Sequence, residues 1–147
     1  MPPQPVHPHN PWISNPLAAR VLIFLIRHRI PVLSRAVGIL LHCDFGAKIP
    51  GQLFLPHPYG IIVHSNVVLG ENVVIMQQVT LGGIDLTAQA PVVEDEVYIG
   101  AGAKVLGAVR LGKGCQVGAN AVITTDVPAG ATAVGYNRII PRDAAAS

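Results

Sequence analysis

From residue 45 onward, aliphatic side chains return at every sixth residue, and this limits the folding options of the 147-residue chain more than any other feature. Counting in sixes from Phe45 to Ala129 meets Val, Leu or Ile at ten of fifteen positions, among them Val63, Leu69, Ile75, Leu111 and Ile123. Four residues further on, thirteen of the fifteen are aliphatic or small, as at Ala103, Cys115 and Ala121. An α-helix cannot hold that phase over about 90 residues, because at 3.6 residues per turn its apolar stripe rotates away from any buried face. Plain two-residue alternation does not explain why glycine recurs directly after the first apolar position. A short strand followed by a turn explains both, with one bulky and one small side chain pointing inward. Three such units close a triangular coil of eighteen residues, and fifteen units make about five coils stacked through parallel backbone hydrogen bonds.

The rest of the composition fits one all-β domain preceded by a short helical segment. The 15 Gly and 13 Pro call for many turns. With 10 Lys and Arg against 8 Asp and Glu, and 5% aromatic residues, the chain has neither the basic stripe nor the stacking platform of a nucleic-acid binder. Cys43 and Cys115 are 72 positions apart with no paired spacing, so the expectation is two reduced thiols in a cytoplasmic protein. The proline-rich start, "MPPQPVHPHNPW", lacks the positive n-region of a signal peptide, and the apolar run Val21 to Ile26 is too short to span a bilayer.

The boundaries expected are 1–44 for the amino-terminal extension and helices, 45–134 for the repeat with a loop at about 84–91, and 135–147 for a tail. Ser14 or Asn15 is placed to cap a helix from about Leu17, with Pro16 in its first turn and Pro31 ending it. The stretch "VLSRAVGILLH" reads as a second helix with Leu33, Val37, Leu40 and Leu41 on one side. Both helices are expected to dock on the main body or on a neighbouring subunit. Contact of this arginine-flanked segment with a membrane surface is the alternative.

The segments "HPYGIIVHSNVVLGENVVIMQQVTLGG" and "IGAGAKVLGAVRLGKGCQVGANAVITTDVPAGATAVGYNRII" resemble the hexapeptide-repeat acyltransferases. Within them the likeness is to the branch of serine acetyltransferase and its relatives that acetylate polysaccharide sugars. The resemblance implies a left-handed parallel β-helix, a handedness that residue spacing does not reveal. It also implies acetyl-CoA as acyl donor, no metal, and a homotrimer whose clefts lie between neighbouring subunits. Direct transfer to a hydroxyl of a sugar or small-molecule acceptor is the expected reaction.

The departures from the repeat now acquire meaning. Gly51 and His57 interrupt the phase in the first coil, and Asp85, Thr87 and Pro91 interrupt it where a loop leaves the wall. His57, followed by Gly60, matches the family's general base; Pro58 and Gly60 are expected to bend the strand and turn the imidazole outward. The resemblance places Gln77, His64 and Tyr59 toward the acceptor. Gly83, Ala101 and Ala119 match positions where main-chain groups hold the pantetheine arm, and Lys113 and Arg138 are candidates for the 3′-phosphate. Cys115, as a competing nucleophile, is read as core packing.

Three departures from the serine enzymes weigh on the acceptor. Pro56 stands where they carry an aspartate before the base, and Gln89, Ala90 and Pro91 stand where they carry an arginine-histidine-proline run. Their large helical domain is replaced by about 44 residues, so their hexamer is not expected. A site without those charged groups favours a sugar or other small hydroxyl over free serine, with serine acetylation and a non-catalytic scaffold as alternatives. Asp44, Glu71, His64 or a backbone carbonyl are open as the group that orients His57. A zinc-dependent carbonic anhydrase on the same solenoid needs three histidine ligands, and only His57 and His64 follow residue 42.

Overall fold

The computed structural model of the protein describes residues 13–84 and 89–141, so Asp85, Thr87, the proline-rich start and residues 142–147 lie outside the described residues. The repeat forms three walls of short strands. The first holds β1 (Asp44–Phe45), β3 (Ile62–Val63), β6 (Thr80–Gly82), β9 (Lys104–Leu106) and β12 (Val122–Ile123), all parallel. The second holds β4 (Val68–Leu69), β7 (Val92–Val93) and β10 (Arg110–Leu111). The third holds β2 (Leu53–Phe54), β5 (Val73–Ile75), β8 (Tyr98–Ile99), β11 (Gln116–Val117), β13 (Thr132–Val134) and β14 (Arg138–Ile140). The last of these, expected in the tail, runs antiparallel to β13.

The registers confirm the eighteen-residue circuit, since Asp44 lies opposite Ile62 and Ile62 opposite Thr80. One circuit is longer by six: Val68 pairs with Val92 and Thr80 with Lys104, so six residues are added between β6 and β7. Inside the prism, Ile75, Leu81, Ile99, Leu111 and Ile123 are fully buried beside Ala103, Cys115 and Ala121. The small partners leave room for the large ones, and each buried Leu or Ile contributes about 1.5–3 kcal/mol. Among the described residues the core contains no polar or charged side chain.

The first coil differs in a way that corrects the reading of His57 as a histidine standing at an aliphatic position. Leu53 pairs with Val73, twenty positions on, which makes Leu55 the counterpart of Ile75; the Ile62–Thr80 pair makes Ile61 the counterpart of Val79. Ile75 and Val79 are four residues apart, whereas Leu55 and Ile61 are six apart. The corner between them therefore holds two added residues, balanced by two fewer between β1 and β2. Leu55 and Ile61 are fully buried and fill the inward places, while His57 belongs to the added length and is exposed.

Two helices, α1 (Leu17–Arg27) and α2 (Pro31–Leu41), close the amino-terminal end. Pro16 is the N-cap of α1 and no side chain caps the helix, contrary to the expectation for Ser14 or Asn15. Asn15 instead grips the first coil: its amide nitrogen donates to the Leu53 carbonyl at 2.7 Å, and its oxygen accepts from the Leu55 amide at 2.6 Å. Pro31 opens α2, where its missing N–H costs nothing. Helix α2 buries Gly38 and Leu41 with Val37 partly covered, but Leu33 and Leu40 face outward, correcting the side assigned to them. Gly38 is the point of closest approach, since a Cβ there would lie 2.8 Å from the Cys43 carbonyl oxygen.

Candidate functional site

Where the third wall turns into the first, each coil places one residue in the left-handed region: Gly60 (φ 66°), Gln78 (60°), Gly102 (73°) and Asn120 (55°). Backbone hydrogen bonds stack these corners, with the Gln78 amide donating to Tyr59, Gly102 to Gln77 and Asn120 to Ala101. Tyr59, Gln77, Ala101 and Ala119 therefore occupy equivalent positions on one edge. At about 4.8 Å per rung, this column spans roughly 14 Å. At Gly102 the Asn120 side chain also uses the space of the missing Cβ, which would sit 2.1 Å from the Asn120 Oδ1.

His57 stands two residues before Tyr59, at the amino-terminal end of the same edge. Its carbonyl accepts from the Tyr59 amide at 2.8 Å, its side chain is exposed, and its ring makes no hydrogen bond among the described residues. Cys43 supports the corner from below, its buried thiol 3.2 Å from the Pro58 carbonyl oxygen and in reach of the Ile61 amide. Both cysteines are free. Burial pushes the Cys43 thiol up, and burial followed by the charge of Glu94 pushes Cys115 up to about 12. A fully buried thiol held protonated is packing, not a nucleophile.

Further along the edge the side chains become small, so the backbone of the Ala101 and Ala119 rungs is open to an approaching ligand. Gln77 adds an acceptor: its Oε1 is buried without a hydrogen-bond partner, a condition that a donor on a bound molecule would relieve. Arg138, exposed in β14 and paired by register with Val134, lies toward the carboxyl-terminal end of this edge. Lys104, which the sequence reading did not single out, donates from Nζ to the Gln78 carbonyl at 2.6 Å and braces the middle of the column. Its signal is visible in "IGAGAK", where it occupies an outward position on the first wall.

The remaining candidates lie elsewhere. His64 and Gly83 follow first-wall strands at the opposite side of that wall, and the His64 Nδ1 accepts from the Asn66 amide at 3.2 Å. Lys113 is on the third edge, between the second and third walls, with its ammonium 3.3 Å from the Glu96 carboxylate. That edge is a charged ladder. Glu94 bonds the Arg110 guanidinium and the Lys113 amide, while Glu71 accepts from the Gly51 and Gln52 amides at 2.9 and 2.7 Å. The hydrogen bond from Arg110, followed by that from the Lys113 amide, holds the Glu94 carboxyl below its ordinary value of 4.5. Of the groups open for orienting His57, Glu71 and His64 have these other partners, and none of them bonds the ring. Among the described residues no three His, Cys, Asp or Glu side chains converge as a metal site.

Comparison with known proteins agrees with this architecture. Residues 90–125 match the bacterial transferase hexapeptide family of six repeats. The chain is 38% identical over 125 residues to a serine acetyltransferase of Helicobacter pylori, an alignment covering 84% of this chain and 72% of that one. It is 36% identical over 132 residues to the serine acetyltransferase of Bacillus licheniformis, covering 86% of this chain and 60% of the relative. A solved serine acetyltransferase in complex with CoA superposes with a TM-score of 0.69 at 35% identity, over 84% of this chain and 54% of that one. This chain thus spans little more than half of that structure and 60% of the Bacillus protein.

Proposed function

We propose, from the premise that this chain belongs to the serine acetyltransferase branch of the hexapeptide-repeat transferases, that it transfers an acetyl group from acetyl-CoA to a hydroxyl acceptor with His57 as general base. The observation that carries this reading is the added pair of residues in the first-coil corner, which lifts one unengaged imidazole onto the edge lined by Tyr59, Gln77, Ala101 and Ala119. The fold we assign is the left-handed β-helix of about five coils, working as a cytoplasmic homotrimer.

The chemistry needs no covalent enzyme intermediate. An imidazole nitrogen of His57 takes the acceptor's hydroxyl proton as its oxygen attacks the thioester carbonyl carbon. The C–S bond breaks as the carbonyl re-forms, and the proton passes from the imidazolium to the departing thiolate, leaving an acetyl ester and CoA thiol. Imidazole is the side chain suited to taking and giving a proton at neutral pH. Holding donor and acceptor together supplies most of the remaining acceleration. The backbone of the Ala101 and Ala119 rungs is the surface we assign to the pantetheine arm, and Arg138 the cation we assign to the 3′-phosphate.

The relatives' names favour free serine as the acceptor and displace the sugar hydroxyl expected from sequence. A neutral acceptor stays as the second reading because of one specific observation, the uncharged Pro56 and Gln89–Ala90 at positions where the serine enzymes carry charged groups. Release of CoA thiol from acetyl-CoA, followed with serine and with a panel of sugars, separates them. Turnover with serine alone supports the first reading, turnover with sugars alone the second, and no acceptor-dependent thiol release overturns both.

A further inference from the structure

We propose that the outer face of the α1–α2 hairpin docks on an anionic lipid surface. Three observations converge. Each helix turns one face to the first coil and leaves an apolar face uncovered: Leu17, Val21 and Phe24 lie three and four residues apart on α1, and Val32, Ile39 and Leu40 share the outer side of α2. These are not marginal exposures, because Leu17, Val32, Ile39 and Leu40 retain 74%, 83%, 72% and 78% of their accessible surface. Such a face costs hydration free energy unless something covers it.

The second observation is the charge around it. Arg20, Arg27, Arg29 and Arg35 are exposed on or beside the two helices, and no Asp or Glu precedes Asp44 in the chain. The first 43 residues therefore hold four of the ten Lys and Arg and none of the eight Asp and Glu, while the remainder is net negative. Arg27 is engaged with the Pro50 and Gly51 carbonyls, but among the described residues no side-chain bond is formed by Arg20, Arg29 or Arg35. The third is length: neither helix exceeds eleven residues, and among the described residues no helix is long and apolar enough to cross a membrane. An amphipathic pair of this kind, apolar on one face and basic at its margins, lies in the headgroup boundary.

Charge also argues against a two-fold pairing of this face with its own copy. A two-fold contact would place the same patch on both sides, setting arginines against arginines with no carboxylate between them. Anionic headgroups match the rim, and the acyl boundary matches the face.

The test is flotation of the purified full chain with vesicles of phosphatidylcholine alone or with added phosphatidylglycerol. Binding to the anionic vesicles, little to the neutral ones, and a strong decrease at about 0.5 M salt are expected. Val32→Ser with Leu40→Ser, and separately Arg20→Gln with Arg29→Gln and Arg35→Gln, should each reduce the bound fraction at least tenfold while circular dichroism and acetyl transfer stay unchanged. The arginine set alters no buried atom and carries the test should the apolar pair lower the melting temperature. Absence of binding, equal binding to both vesicle types, or an assembly in plain buffer that Leu40→Ser dissociates would overturn the proposal. Acetyl transfer is read separately, so its loss or survival leaves this result intact.

Discussion

Two edges of the same prism, built from the same six-residue unit, handle their polar groups in opposite ways. Between the second and third walls, Glu71, Glu94 and Asp95 accept hydrogen bonds from backbone amides of neighbouring rungs, and Glu94 and Glu96 also pair with Arg110 and Lys113. The edge between the third and first walls carries an exposed imidazole, an unsatisfied glutamine oxygen and two alanines. The first edge meets its carboxylates within itself, and the buried Asn72 Oδ1 is its one buried side-chain polar atom without a partner among the described residues. The second leaves its imidazole and its glutamine oxygen without partners there, the condition of a surface that can take a ligand.

Substitutions that treat the two edges differently test this contrast. The largest effect is expected from His57→Ala, which should lower kcat for acetyl transfer about 10²- to 10⁴-fold. An unchanged melting temperature should accompany it, since the side chain is exposed. A fall of less than threefold would remove the imidazole from the chemistry. Ala119→Trp, which covers the backbone at the end of the column, should reduce kcat/KM for acetyl-CoA roughly 10²-fold. Steady-state kinetics with the acceptor saturating checks it, and wild-type behaviour would show that the donor lies elsewhere.

Smaller changes sharpen the contrast between the cations. Arg138→Ala should raise KM for acetyl-CoA about tenfold, the scale of one charged hydrogen bond, whereas Lys113→Ala should leave it unchanged because its ammonium already faces Glu96. Competition by desulfo-CoA, which keeps the 3′-phosphate, should show the same order, whereas 3′-dephospho-CoA should not distinguish Arg138→Ala from the wild type. The smallest effect belongs to Glu94→Gln. A carboxyl held below its ordinary value stabilises the fold above that value and ceases to do so as pH falls through its folded pKa. Melting of wild type and variant should therefore differ slightly at neutral pH and converge as acidification passes the lowered folded pKa. A gap that persists in acid would assign the effect to packing.

Most of the fold was legible because burial repeats with a fixed period, and a period survives any single substitution. The first coil was harder. Its two missing and two added residues cancel, so a count in sixes runs straight through and arrives back in phase at Val63, reporting Gly51 and His57 as inward positions. Only the cross-strand registers reveal that Leu55 fills the place and His57 is surplus. Arg138 was legible as a residue but not as part of an antiparallel strand, because three residues give no periodic signal. The outward face of α2 was misassigned because Leu33 and Leu40 are as apolar as the Leu41 that is buried, and composition does not distinguish an uncovered face from a covered one. Cys115 was read correctly as packing; alkylation at pH 8 should leave it unmodified until the protein is unfolded, and rapid native labelling would contradict the burial described here.

A stack of parallel rungs offers open strand edges at both ends, and such edges recruit further chains into fibrils. Here the side chain of Asn15 acts as a false rung, taking the Leu53 carbonyl and Leu55 amide that an incoming strand would seek, while Arg27 occupies the carbonyls of Pro50 and Gly51. At the far end β14 folds back against the grain of β13 and breaks the template. Both ends of the stack are blocked from within, and loss of the Asn15 amide group would leave the Leu53 carbonyl and Leu55 amide open to an incoming strand.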